Sequence, residues 1–510
     1  MNLTSVNPRT GEAVETSIVA ATTEDVARAA GDAAAVAREL ARTSRARRAE
    51  LLRATAAELE RDVDALARVA DEETALGLPR LTGEVGRTAF QLRAFAEVVD
   101  EGSYLEVTID DAGPTAMGQR PELRRQLVPL GPIAVFGASN FPFAFSVAGG
   151  DTASGLAAGC PVVVKGHSSH PRTAHETFVR VQRAVRATGF DPRIVSLVFG
   201  RGAGTALVTR PEIRAVGFTG SQAGGRALFD LAQNRPDPIP FYGELGSVNP
   251  LIVTAQAARE RAAEIARDYV ASLTLGGGQF CTKPGLLCIP AAEAPRLRAL
   301  LSEELRTAQP MWSLNRGMHE AYEAGIARLA AAVGEGRFDS APAEDSAGFA
   351  VAPALAWATV TEVRNSVDPL LEECFGPAAV VVEYDNAAEL VAFLDELPGA
   401  LTGAIQAGSD VDDDAARVLD ALSRIVGRVV WNGYPTGVAV AWGMTHGGPY
   451  PSSTNALHTS VGATAVRRFL RPVTFQSVPQ ELLATELHDA TPVPHRRNGV
   501  LTGAADWPAR

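Results

Sequence analysis

Four cysteines scattered over 510 residues cannot form a disulfide framework, so a reducing, cytoplasmic setting is expected. "MNLTSVNPRTGEAVETS" lacks a basic region followed by an apolar run, and no signal peptide is expected. Long hydrophobic runs are scarce too. The charge-poor stretch from Gln126 to Gly150 is broken by Pro129, Pro132, Pro142 and several glycines, a texture of buried strands and loops, not of a membrane span. Positive charge is also in deficit: a formal net charge of −12 excludes nucleic acid or an anionic membrane as the main partner. A phosphorylated ligand must therefore find its cations locally. His167, His170 and His175 match no zinc spacing, and no cysteine or acidic cluster completes them, so no metal is expected. The G-x-G-x-x-G fingerprint is missing after the first strand, and "GRGAGT" at 200–205 only approximates it. Internal repeats and low-complexity linkers are lacking as well.

What remains is an ordinary soluble composition, 46% hydrophobic and 21% charged, in a chain long enough for two or three domains. Residues 24–101 carry apolar positions at helical spacing, with Thr22 or Thr23 as N-cap. The arginines of "RTSRARRAE" read as a solvated helix face. From Leu123 short apolar runs alternate with helical segments. "PIAVFG", "CPVVVKG", "RIVSLVFG" and "IRAVGFTGS" read as strands, with helices near 146–158, 173–188, 202–209 and 222–234. A second alternating region, about 247–446, contains "NPLIV", "GLLCIP", "AAVVVEY", "GALTGAI" and "IVGRVVWN". Its helices fall near 257–275, 294–308 and 317–334. Apolar strands alternating with helices imply an α/β fold of doubly wound parallel sheets, with ligands at the carboxyl ends of the strands.

At those ends lie loops rich in glycine and functional side chains: "GASNFPF", "KGHSSHP", "FTGSQAGG", "YGELGSVNP", "GGGQFCTKPG" and "EECFGP". In this order and at these separations the loops resemble the aldehyde dehydrogenase superfamily, over essentially the whole chain. Within it, "VFGASNFPFAFSVAGGDTASGLAAGCPVVVKGHSSHP" and "WNGYPTGVAV…GGPYPSSTN" resemble the NADP-dependent branch acting on α-ketoglutaric semialdehyde (2,5-dioxovalerate). That branch is close to bacterial long-chain aldehyde dehydrogenases.

The resemblance implies a mechanism. A free carbonyl carbon has no electron-rich tetrahedral centre from which hydride can leave. A thiolate that adds to it creates one, and the resulting thioester is hydrolysed. By resemblance Cys281 is the nucleophile; its glycine-rich approach would let substrate and nicotinamide come close. Cys160 and Cys288 belong to apolar runs and read as core, and Cys374 is a bystander within "EECFGP". Asn140 and the Cys281 backbone N–H are the implied oxyanion donors; losing one such donor typically costs on the order of a hundredfold in rate. Glu244, in an apolar setting that would raise its pKa, is the implied base for thioester hydrolysis. Ser247 stands where many relatives have glycine, so the backbone there is expected to differ slightly.

For the cofactor, Lys165 is expected to reach the adenosine ribose. Relatives that prefer NAD often place an acid three residues after this lysine, where this chain has Ser168 beside His167. That pattern implies NADP, with Arg201 assisting and NAD as a weaker possibility. Gly220 and Ser221, at a helix N-terminus, suit the pyrophosphate. Glu373 and Phe375 match the pair holding the nicotinamide ribose and ring.

The expected substrate is α-ketoglutaric semialdehyde, in sugar-acid, pentose or hydroxyproline breakdown. A medium- or long-chain fatty aldehyde is the alternative, and a CoA-acylating enzyme is a further one against which Glu244 argues. The implied division is a Rossmann-like cofactor domain (1–117 and 130–246, with 447–466 returning to it) and a Rossmann-like catalytic domain (247–446). An oligomerisation arm and tail (118–129 and 467–510) would favour a homodimer or homotetramer.

Overall fold

The computed structural model describes residues 1–341, 347–409 and 413–503; the end of the expected tail, 504–510, lies outside them. Two parallel sheets carry the architecture. The first has five strands in the order Phe241–Leu245, Ala215–Gly220, Ile133–Phe136, Val162–Lys165, Val195–Val198. All are parallel, with registers such as Val216↔Phe241, Val216↔Ala134 and Ala134↔Val163. Its central strand is buried at every position because helices cover both faces. The chain winds outward from Ile133–Phe136 in one direction and then in the other, so the loops after Phe136 and Gly220 flank a topological switch point.

The second sheet has seven strands. Their order is Phe338–Ser340, Ala354–Thr359, Ala378–Tyr384, Leu286–Pro290, Pro250–Val253, Ala400–Gln406, Val426–Trp431. Only the first pair is antiparallel. Cys288 is fully buried here, paired with Ile252 and Val382. The edge pair Phe338–Ser340 and Ala354–Thr359 carries no strand expectation from the sequence. "ALAWAT" is alanine-rich, and its β conformation comes from pairing with Ala378–Tyr384, a tertiary override of weak local preference.

The N-terminal helices are Thr23–Arg42, Arg45–Arg61, Val63–Thr74 and Leu78–Glu101. Thr22 caps the first through a capping box with Asp25. The arginine-rich face is not simply solvated, which corrects the sequence reading. Arg48 is buried and donates to the Ala158 carbonyl at 3.2 Å and the Tyr104 hydroxyl at 2.9 Å. Arg45 donates to the carbonyls of Val99 and Asp100 at 3.1 and 2.7 Å. The physical reason is that helices here end in orphan carbonyls away from water, and arginine's forked donors satisfy them.

A third, mostly antiparallel sheet has the order Leu470–Gln476, Leu123–Pro129, Thr108–Asp110, His495–Arg497, Val500–Thr502. Segment 447–466 lies against the outer strand of the first sheet. The Leu245 amide donates to the Ser452 carbonyl at 2.8 Å, and the Gly243 amide donates to Thr454 Oγ1 at 2.8 Å. Among the described residues no helix is long and apolar enough to cross a membrane.

Candidate active site

Glycines 276–278 all take positive φ, at 60°, 68° and 66°, which any other residue adopts at a cost. A Cβ on Gly278 would meet the Gly376–Pro377 backbone at 2.3 Å. The glycines therefore serve a left-handed turn and a close backbone crossing, a different reason from room beside the sulfur. That crossing presses the Cys281 loop against the loop carrying Glu373 and Phe375. Buried Lys283 fastens the two: Nζ donates to the carbonyls of Cys374, Gly376 and Ala378 at 2.6, 2.9 and 2.8 Å.

Asn249, in the left-handed region at φ 46°, ties the same turn to the strand end bearing Glu244. Its Nδ2 donates to the carbonyls of Cys281 at 2.7 Å and Lys283 at 3.0 Å. Its Oδ1 accepts from Ser247 Oγ at 2.8 Å and the Thr402 amide at 3.2 Å. Ser247 Oγ accepts in turn from the Leu401 amide at 3.2 Å. A serine at 247 is thus built into the joint between the two sheets.

Around the sulfur, buried Asn140 donates from Nδ2 to the Gln279 carbonyl at 2.8 Å, two residues before Cys281. A primary amide carries two hydrogens, so the second remains for a ligand. Glu244 lies on the outer strand, 6% exposed, with Oε2 lacking a hydrogen-bond partner among the described residues. His446, a residue the sequence reading did not single out, completes the group. Its Nε2 is 3.5 Å from Cys281 Sγ and 3.7 Å from Glu244 Oε2. It is held by a bond from its own amide to Thr459 Oγ1 at 2.8 Å. No local motif flags it; only the return of 447–466 to the first sheet brings it within reach.

Burial sets the electrostatics. It pushes the Cys281 thiol up to about 12, with the carboxylates of Glu244 and Glu373 adding to the effect. It pushes the His446 imidazole down to about 3, helped by the charges of Arg428, Arg87 and Arg468. It raises the Glu244 carboxyl well above its ordinary value, against the pull of Arg468. Of the two groups facing the sulfur, Glu244 is therefore the stronger base. A thiol raised this far is protonated at neutral pH and gains thiolate tenfold per pH unit. Iodoacetamide should accordingly alkylate Cys281 of the cofactor-free protein about tenfold faster for each unit from pH 7 to 9. Followed by mass spectrometry, a plateau below pH 9 would contradict this assignment.

The expected cofactor residues gather at the carboxyl end of the first sheet. Lys165 ends its strand, half-buried, its amine lowered by burial and then by Arg201. Exposed Arg201 opens the helix Arg201–Thr209. Ser168 is exposed. His167 Nδ1 accepts from the Ser169 amide at 3.1 Å. Burial, His170 and Lys165 hold its imidazole well below the ordinary value, so it offers a phosphate an N–H but no charge. Gly220 ends its strand, and Ser221 caps the exposed start of Gln222–Gln233, accepting from the Gly224 amide at 3.2 Å. Glu373 Oε1 is buried and has no partner among the described residues, and a Cβ on Gly246 would collide with Oε2 of the same carboxylate. Burial pushes the Glu373 carboxyl up to about 7. An orphaned acceptor beside a bare glycine is a cradle that a ribose hydroxyl would complete. Phe375 is half-buried two residues on. The donor set fits a nicotinamide dinucleotide.

The other cysteines are remote from this chemistry. Cys160 is buried and donates to the Phe469 carbonyl at 3.4 Å. Cys374, also buried, faces Gly325 and the Tyr322 carbonyl.

A family model described as the aldehyde dehydrogenase family matches residues 1–474. α-Ketoglutaric semialdehyde dehydrogenase 2 of Azospirillum brasilense is 44% identical over 463 residues, spanning 89% of this chain and 87% of its own. The α-ketoglutaric semialdehyde dehydrogenase of Acinetobacter baylyi is 43% identical over 464 residues, spanning 90% and 88%. Among solved structures, 1-pyrroline-5-carboxylate dehydrogenase from Thermus with bound NAD is similar at a TM-score of 0.80 and 21% identity. That likeness spans 93% of this chain and 90% of that one and concerns the fold.

Proposed function

The chain belongs to the aldehyde dehydrogenase family, and from that premise we propose that it oxidises α-ketoglutaric semialdehyde to 2-oxoglutarate with NADP, through a covalent adduct on Cys281. The observation that carries the mechanism is the convergence of Cys281 Sγ and Glu244 Oε2 on one imidazole nitrogen, at 3.5 and 3.7 Å. Sulfur adds to the carbonyl carbon, forming the C–S bond, and the thiol proton leaves toward this imidazole–carboxyl pair. The free Asn140 Nδ2 hydrogen and the Cys281 N–H receive the oxyanion. A nicotinamide held there would supply the hydride acceptor that lets the tetrahedral carbon become a thioester. Once that first proton has passed to solvent, the Glu244 carboxylate takes a proton from the water that adds to the thioester carbon. The C–S bond breaks, the leaving thiolate takes the acid's proton, and carboxylate and thiol separate.

Lys165, His167, Ser168 and Arg201 would hold the adenosine ribose and its 2′-phosphate, Gly220 and Ser221 the pyrophosphate, and Glu373 and Phe375 the nicotinamide ribose and ring. NADP is favoured because "KGHSSH" at 165–170 contains a lysine, imidazole and hydroxyl donors but no acid to repel a 2′-phosphate. The substrate is supported by the names of the two relatives above 40% identity. We also propose the domain division set out from the sequence, with strands Leu123–Pro129 and Leu470–Gln476 as part of a homo-oligomeric arm.

Initial rates at 340 nm test the reading. kcat/KM for 2,5-dioxovalerate should exceed that for a medium-chain alkanal, and NADP should outperform NAD. A strong preference for the alkanal refutes the substrate, and a preference for NAD refutes the Ser168 argument.

A further inference from the structure

An anionic semialdehyde needs a cation at its far end, and several arginines lie near the sulfur. Helix Leu78–Glu101 presents Arg80, Glu84 and Arg87 on one face, at the i, i+4, i+7 spacing of a single stripe. Each does something different. The Arg80 guanidinium lies against the edge-to-face pair Phe141 and Phe280, 5.1 and 4.7 Å from their centroids, and donates to the Asn140 carbonyl at 2.7 Å. It thereby positions the oxyanion loop. Glu84 Oε1 accepts from the amides of Phe143 and Ala144 at 2.9 and 3.0 Å, fastening the same loop to the helix.

The Arg87 guanidinium lies 5.3 Å from the Phe145 centroid, and Nη2 donates to the Val438 carbonyl at 3.2 Å. Nη1 of Arg80 and Nη1 of Arg87 are both buried without a partner among the described residues, but Arg80 Nη1 is stopped against the Gly276 turn, where a Cβ would lie 2.1 Å from it. Phe145 in turn lies 6.1 Å from the His446 ring, so one aromatic layer separates the guanidinium from the imidazole that meets Cys281. Arg428 also feels the Cys281 charge, but its donors are committed. Nε bonds Thr402 Oγ1 at 3.4 Å, while Nη1 and Nη2 bond the carbonyls of Gly437 and Pro435 at 2.9 and 2.5 Å. Residues 437, 439 and 441–443 beside Val438 are exposed, so solvent borders this side of Arg87.

A buried guanidinium donor left unpaired is costly, and a carboxylate is its natural complement. An alkyl tail in the same place would leave the cost unrelieved. We propose that Arg87 anchors the carboxylate of the semialdehyde beside Phe145, and so sets the preference for anionic over neutral aldehydes. This rests on the substrate reading above.

The test compares 2,5-dioxovalerate with pentanal in the wild type, Arg87→Met, which keeps an apolar stem against Phe145, and Arg87→Lys. Using the ratio of the two kcat/KM values on one preparation cancels differences in active protein. The wild type should favour dioxovalerate, and Arg87→Met should lower that ratio at least about thirtyfold, mostly through KM. Arg87→Lys should recover part of it, a point charge replacing the fork. A wild-type preference that survives Arg87→Met within threefold overturns the anchor alone. A wild type that treats the two aldehydes alike overturns the substrate reading, and the anchor with it.

Discussion

Replacing Cys281 with alanine should lower kcat by at least about four orders of magnitude, since losing a covalent nucleophile removes the reaction path itself. No neighbouring thiol can substitute. Cys160 and Cys288 are fully buried in other layers, and Cys374 is packed against Gly325 behind the Lys283 clamp. The variant should still fold, because the turn is held by Asn249 and Lys283 through backbone carbonyls, which alanine retains. Absorbance at 340 nm gives the rate, and protection of the variant from thermal unfolding by NADP shows that the cofactor cleft is intact. Turnover within a hundredfold of the wild type would refute the covalent mechanism.

Glu244→Gln should separate the two halves of the reaction. Glutamine keeps the shape of the side chain at the strand end but cannot accept a proton from water. General base catalysis is worth roughly 10²–10⁴ in rate, so steady turnover should fall by about that factor. Up to one equivalent of NADPH per active site should still form, because sulfur addition and oxidation precede hydrolysis. The burst itself should be slower than in the wild type, since the imidazole pushed down to about 3 is left as the sole base facing the thiol. Stopped-flow absorbance reads both phases, and intact mass should show the acyl group on Cys281. Linear NADPH formation without a burst, at near wild-type rate, would rule out Glu244 as the hydrolytic base.

Legibility from sequence followed the range of the forces involved. The parallel strands could be read because burial on both faces demands continuous apolar runs: "PIAVFG" and "AAVVVEY" announce Ile133–Phe136 and Ala378–Tyr384. Asn140 follows such a run and Glu244 and Lys165 close others, whereas the Cys281 turn precedes its strand Leu286–Pro290; glycines punctuate the chain locally at each. "ALAWAT" has no such signature, because its strand exists through neighbours on either side. The arginines of "RTSRARRAE" misled for a related reason. Charge density predicts solvent unless orphan carbonyls of another helix happen to lie opposite, as Ala158 does for Arg48.

The amino-acid sequence by itself thus determined the class of fold and the order of the loops, since each depends on patterns within one segment, and it pointed by resemblance to Cys281 as the proposed nucleophile. Only the tertiary structure decided the surroundings of that nucleophile. His446 lies 165 residues from Cys281, Arg87 reaches the site from an N-terminal helix, and Asn249 bonds the turn from between the two sheets. These pairings are made by long-range packing, where burial, not local propensity, chooses the neighbours and shifts their proton affinities. The cysteine was visible in the chain; its buried surroundings were assembled by the fold.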